Sequence, residues 1–177
     1  MKLGVSKDEV ILVPFDPQWK TEFLRMQDSL VHNTSIQPHQ IEHIGSTSIE
    51  GIQAKPIIDI VVGVESLILL DKEFFKALKK VGFYRLQVER PNEIVCAKFT
   101  NASFETKTHF MHIVEIHQEK WRQMLFFRDY LNAHEETKRE YESIKHSFLK
   151  SDLQGIQAYT DYKEQFVQSI FSKLEDQ

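Results

Sequence analysis

Residues 56–64, PIIDIVVGV, constrain this chain more than any other stretch. They are rich in β-branched side chains and apolar at both parities, interrupted by one acid and one glycine, so they read as a strand covered on both faces. Such a strand lies inside a sheet, between two helical layers or between one helical layer and a closing lobe. Asp59 is out of character there. A carboxylate among oily neighbours carries a desolvation cost that a partner, a metal or a ligand must offset.

The flanking segments build the rest of the sheet. Residues 10–13 form a short apolar run ended by Pro14 and read as a strand, after which Asp16-Pro17 offers a helix cap and a first-turn proline. In the helix that follows, Trp19, Phe23, Met26 and Leu30 recur at helical spacing and make one apolar stripe suited to covering a sheet. Pro38 bars continuation, and residues 41–44 alternate up to Gly45 as a second strand. Residues 67–81 read as one helix closed by Gly82, with Phe74, Phe75 and Leu78 inward and Lys79 and Lys80 at its negative end. Strands are expected at 83–88, 93–100 and 107–116, separated by Pro91-Asn92 and a turn at 101–103, and joined as two antiparallel hairpins. From residue 118 the period is helical, with Gly155 as a break between helices. This order implies an α+β fold: a mixed β-sheet with helices packed on it and a C-terminal helical lobe, in a single domain over residues 1–177.

Composition narrows the function classes. Hydrophobic residues at 41% and 13 Phe exclude wholesale disorder, and a formal net charge of −4 gives no strong nucleic-acid signal. Cys96 is the only cysteine, which excludes an internal disulfide or a multi-thiolate zinc site, and it reads as an inert thiol in an alternating strand. No stretch reaches membrane-spanning length, and Lys7, Asp8 and Glu9 interrupt the N-terminal apolar run, so no membrane partner and a cytoplasmic location are expected.

The chemistry concentrates in residues 43–61, HIGSTSIEGIQAKPIIDIV. Gly45 lets a phosphate approach the backbone, and Ser46, Thr47 and Ser48 offer hydroxyls beside the amides of a following helical turn, with capping-box spacing from Thr47 to Glu50. Asp59, on the next strand, is placed to hold Mg²⁺ that grips the ligand's phosphates. Lys55 is a further phosphate-binding candidate, balanced by its reading as a solvated lysine at the strand start.

This arrangement resembles the nucleotidyltransferase superfamily, and more closely the GrpB-like family within it. The resemblance runs through PFDPQW at 14–19, HIGSTS at 43–48 with Gly51, KPIIDI at 55–60, THFMHIVE at 108–115, FRDYL at 127–131 and AYTDYK at 158–163. It implies a nucleotidyltransferase-like fold, a nucleotide or other phosphorylated small molecule as ligand, Mg²⁺ as cofactor, and transfer of a nucleotidyl group to an acceptor. Related domains attached to dephospho-coenzyme A kinase are thought to aid folding. That implies an alternative, a catalytically degenerate fold serving as a folding aid or interaction module with a protein partner. The superfamily strand carries two alternating acids, whereas Ile57 and Val61 flank Asp59 here, and Phe110 stands where the family usually has histidine.

The strand THFMHIVEI supplies the remaining candidates. Alternation places His112 with Thr108, Phe110 and Val114, and puts His109, Met111, Ile113, Glu115 and His117 on the other face. His112 is the preferred partner of Asp59, as a metal ligand, general base or hydrogen-bond partner, and Glu115 is the alternative carboxylate for a metal. A zinc shared by His109 and His112 is not expected, and His109 and His117 read as surface or interface residues. Arg128 suits a substrate phosphate by its guanidinium fork, or else pairs with its neighbour Asp129. Tyr159, Tyr162 and Phe166 read as core packing.

Overall fold

The computed structural model describes residues 1–6, 9–100 and 103–175. Lys7 and Asp8, and Asn101 and Ala102 of the turn expected at 101–103, lie outside the described residues. Among those described, six strands form one sheet: β1 (Val5–Ser6), β2 (Ile41–Ile44), β3 (Ile58–Val64), β4 (Phe83–Arg85), β5 (Ile94–Phe99) and β6 (Thr106–Glu115). The order is β2-β3-β6-β5-β4, with β1 pairing β6. The β3–β6 pair is parallel and the others are antiparallel, so the sheet is mixed and the expected hairpins β4–β5 and β5–β6 are present.

Among the described residues there are five α-helices: α1 (Gln18–Asn33), α2 (Lys72–Lys80), α3 (Glu119–Ala133), α4 (Glu135–Leu149) and α5 (Gly155–Glu175). Helix α1 starts where the Asp16 carboxylate accepts from the Gln18 amide at 2.9 Å, and its stripe Trp19, Phe23, Met26 and Leu30 is buried. That stripe packs on Ile58, Ile60 and Val62 of β3 and on Met111 and Ile113 of β6. The opposite face of β3 meets α3, where Val61, Val114 and Ile44 enclose Trp121. Helices α3, α4 and α5 share a third apolar cluster around Phe127, Tyr141 and Phe166. Strand β3 is therefore apolar on both sides because one face lies under helices and the other under a lobe.

Three local expectations need correction. Residues 10–13 are not a strand: only Val13 pairs, exchanging backbone hydrogen bonds with Ala54, while the sheet's first strand is Val5–Ser6. The segment 67–81 is divided. Leu67–Leu69 is a 3₁₀ turn, and α2 begins only after Asp71, whose carboxylate accepts from the Phe74 amide at 2.9 Å. Ile68 and Leu69 are 90% and 72% exposed, so the first turn has no buried face to hold it in a longer helix. After Gly45 there is a 3₁₀ turn of Ser46–Ser48 instead of a capped helix, and the Glu50 amide bonds to Asn132.

Candidate functional site

Asp59 and Gly45 meet across the β2–β3 pair, where Ile44 lies opposite Asp59. Gly45 has φ +68° and ψ −172°, a conformation open essentially to glycine, and a Cβ there would collide with the Asp59 carboxylate. The glycine is needed both for the turn and for the close approach. Alternation along β3 turns Asp59 to the face of Val61, away from the α1 core, and β6 presents Phe110 and His112 on that same face.

These side chains line a cavity of about 380 Å³ between the sheet and helices α4 and α5. Its floor carries Gly45, Ser46, Thr47, Asp59 and His112, and its helical side carries Tyr141, Tyr159 and Lys163, with Lys55 at the approach to β3. Leu86, Val88, Val95, Met124 and Ile156 form an apolar wall. Asp59 is the only acid lining the cavity among the described residues, and it makes no ion pair or side-chain hydrogen bond among them. Burial raises its carboxyl above the usual range, opposed by the charges of His112, Lys55 and Lys163.

The cations are equally unusual. Burial pushes Lys55 down to about 8, with Lys163 adding to the effect and Asp59 opposing it, and burial pushes Lys163 down to about 8 as well. Neither makes an ion pair among the described residues. Both sit over the Tyr159 ring, Lys163 Nζ at 4.0 Å and Lys55 Nζ at 5.1 Å from its centroid. Two poorly hydrated ammonium groups that make no ion pair among the described residues have the chemistry to receive an anion. Lys163, about a hundred positions beyond Asp59, carried no signal of its own in the sequence beyond the AYTDYK stretch. Tyr159 and Phe166 are buried as expected of core residues, but Tyr159 also lines the cavity beneath the two lysines, and Tyr162 is 40% exposed.

The helical lobe holds the turn in place by its backbone. Asn132 donates to the Ser48 carbonyl at 3.1 Å and accepts from the Glu50 amide at 2.9 Å; Glu142 accepts from the Gln53 amide at 2.7 Å; and buried Lys145 donates to the Gln53 carbonyl. Three side chains from α3 and α4 thus orient, through four hydrogen bonds, the backbone from Ser48 to Gln53.

Not every predicted residue arrives here. The Ser46 hydroxyl faces the cavity, 3.1 Å from the Tyr141 hydroxyl; Thr47 also lines it, but its hydroxyl is already engaged, 3.0 Å from His43 Nε2 and donating to the Ile57 carbonyl at 3.4 Å. Ser48 donates to the Gly45 carbonyl at 2.7 Å and lines a different cavity of about 510 Å³. Arg128 also lines that second cavity, and its fork is engaged by Asp129 and Glu42, each at 2.7 Å, and by the His43 carbonyl at 2.9 Å. Although larger and also lined by Lys20, this cavity has its guanidinium already engaged by two carboxylates. The smaller one combines Asp59, Lys55 and Lys163, none of which makes an ion pair among the described residues, and is the better candidate ligand site. Glu115 sits at the far end of β3–β6 and on the opposite face, accepting from the Ser66 hydroxyl and the Leu67 amide. It does not join Asp59. His109 and His112 lie on opposite faces, and His109 is buried beneath α1 with Nε2 3.1 Å from Glu22, not at the surface. Cys96 is fully buried, its thiol raised to about 12.

The metal expectation can be set against this donor set. Among the described residues no group of three or more His, Cys, Asp and Glu is arranged to hold a metal ion. One carboxylate suits Mg²⁺ only when ligand phosphates complete its oxygen shell. Glu93 was missed by sequence reading: it is buried just before β5, 2.5 Å from His112 Nδ1 and 2.9 Å from Lys120 Nζ. Burial alone would raise its carboxyl, but the hydrogen bond and charge of His112, then those of Lys120, outweigh it and hold it down at about 2.

A mixed sheet with a glycine-backed turn facing an acid on the next strand is a nucleotidyltransferase-like fold, and the solved structures agree. The Cid1 poly(U) polymerase superposes with a TM-score of 0.57 at 13% identity, over 85% of this chain and 49% of that one. The chain itself belongs to the GrpB family, matching the description "GrpB protein" over residues 9–173. It is 42% identical over 173 residues to the glutamate-rich protein GrpB of Alkalihalophilus pseudofirmus, covering 97% of this chain and 99% of that one. The crystal structure of the conserved protein GrpB from Enterococcus faecalis superposes with a TM-score of 0.74 at 24% identity, over 92% and 96% of the two chains. Among the described residues no helix is long and apolar enough to cross a membrane.

Proposed function

We propose that this protein binds a nucleotide or another phosphorylated small molecule in the cavity at Asp59, together with Mg²⁺, and transfers a nucleotidyl group from it to an acceptor. The observation that carries the reading is the Asp59 carboxylate set against Gly45 and faced by Lys55 and Lys163, none of the three side chains making an ion pair among the described residues. The terminal phosphates would lie on the lysines and the Ser46 hydroxyl, and the organic part against the apolar wall. Asp59 would hold Mg²⁺ jointly with phosphate oxygens, and the ion's contribution would be charge neutralisation at the phosphorus under attack. Binding without transfer is the second reading. It is favoured by Ile57 and Val61, which stand where the superfamily's strand carries the second acid of its pair.

The test is incubation with Mg²⁺ or Mn²⁺ and each labelled nucleoside triphosphate, followed for binding, pyrophosphate release and label transfer. Metal-dependent binding is expected in the wild type and its loss in Asp59→Ala; equal binding by both proteins would remove the proposal. Thermal melting reports the same event, because a ligand at 100 times its dissociation constant stabilises the fold by about 2.7 kcal/mol.

A further inference from the structure

Glu93 and His112 form a dyad whose geometry goes beyond an ion cluster. Glu93 immediately precedes β5 and His112 lies on the neighbouring β6, in a register that sets Val95 opposite His112. The Glu93 carboxylate is almost wholly enclosed: Oε1 takes His112 Nδ1 at 2.5 Å, Oε2 takes Lys120 Nζ at 2.9 Å, and Arg90 lies at 3.4 Å. An ionised carboxylate can only accept, so the proton in the short contact belongs to Nδ1. Nε2, at the other edge of the ring, bonds nothing among the described residues, and the imidazole lines the cavity that contains Asp59, Lys55 and Lys163. We infer that Glu93 is a positioning residue: it fixes the His112 proton on Nδ1 and leaves Nε2 as the base that takes the proton of an acceptor hydroxyl.

This rests on the transfer reading above. In the step, the hydroxyl oxygen forms a bond to the α-phosphorus, the bond from that phosphorus to the leaving phosphate chain breaks with its electron pair going to the leaving oxygen, and the hydroxyl proton moves to Nε2. The imidazolium so formed carries a positive charge beside Glu93, as a buried acid stabilises a charged histidine in hydrolytic triads. Lys120 has its own part. By occupying Oε2 it leaves only Oε1 for the ring, which holds one rotamer of the carboxylate.

The decisive measurement is the ring ¹⁵N NMR signature of His112, followed from about pH 6 to about pH 9, together with peptide mapping of its modification by diethylpyrocarbonate. The wild type is expected to show the Nδ1–H tautomer and carbethoxylation at Nε2 that inorganic triphosphate suppresses. In Glu93→Gln the amide oxygen stays with Lys120 and its NH₂ faces Nδ1. The proton then shifts to Nε2 and the modification is lost, while triphosphate binding persists. An Nε2–H tautomer in the wild type overturns the inference, and this reading needs no variant to fold. So does unchanged His112 reactivity in Glu93→Gln, or loss of triphosphate binding with it, since Glu93 would then be shaping the anion seat. If the wild type binds no triphosphate, the functional reading fails while the tautomer result still decides the role of Glu93.

Discussion

Raising the pH from 7 towards 10 is expected to stabilise this protein. Lys145 is fully buried, and burial, with Lys163 adding to it, pushes its ammonium down to about 7; Lys55 and Lys163 titrate near 8. In the unfolded chain all three hold their protons to about pH 10.4. Between the two sets of values the unfolded state binds more protons than the native one, so stability rises with pH, by about 1.4 kcal/mol per unit for each lysine fully released. Three groups turn the curve over. Burial raises the Cys96 thiol and the Tyr141 hydroxyl to about 12 and raises the Tyr159 hydroxyl further, so above the ordinary thiol and phenol values these oppose the lysines. Urea unfolding at a series of pH values should therefore show a rise from pH 7 that flattens near pH 10. Lys145→Met should flatten the rise by one proton's worth and, towards pH 10 where the wild-type amine is neutral, lower the stability by about 1–3 kcal/mol, since the Gln53 carbonyl loses its donor. A level profile across this range would mean that water reaches these amines.

The second large effect is at Gly45. Its backbone costs a substituted residue about 1–3 kcal/mol in strain, and overlap with the Asp59 carboxylate adds about as much again. Gly45→Ala is expected to lose about 4 kcal/mol of stability, enough to leave a marginal domain partly unfolded. The two costs separate by a double-mutant cycle. Asp59→Ala removes the carboxylate but not the backbone strain, so in that background Gly45→Ala should cost about 1–2 kcal/mol less. Strict additivity of the two substitutions would show that the glycine answers only to backbone conformation and that Asp59 does not depend on it.

How far these features could be read in advance follows from the reach of each physical rule. The α1 stripe, the start at Asp16 and the double-faced strand β3 were all legible, because a helix period, a cap and a run of β-branched residues are local. The pairing of Asp59 with Gly45, and the choice of His112 over Glu115, were within reach for the same reason: strand alternation assigns side chains to faces without any knowledge of what covers them. The helix expected over 67–81 misled because its period said nothing about the absence of a surface against Ile68 and Leu69.

The sequence by itself thus determined which residues share a face of the sheet, and with it the glycine-backed acid at the centre of the candidate site. Only the tertiary structure decided what stands opposite: it brought Lys163 and Tyr159 down from α5, buried Glu93 behind His112, and sent Ser48 and Arg128 to another cavity. The reason is physical. Periodicity is a property of one element, whereas the place where a helix crosses a sheet is set by the packing of side chains from distant parts of the chain, and no local spacing records it.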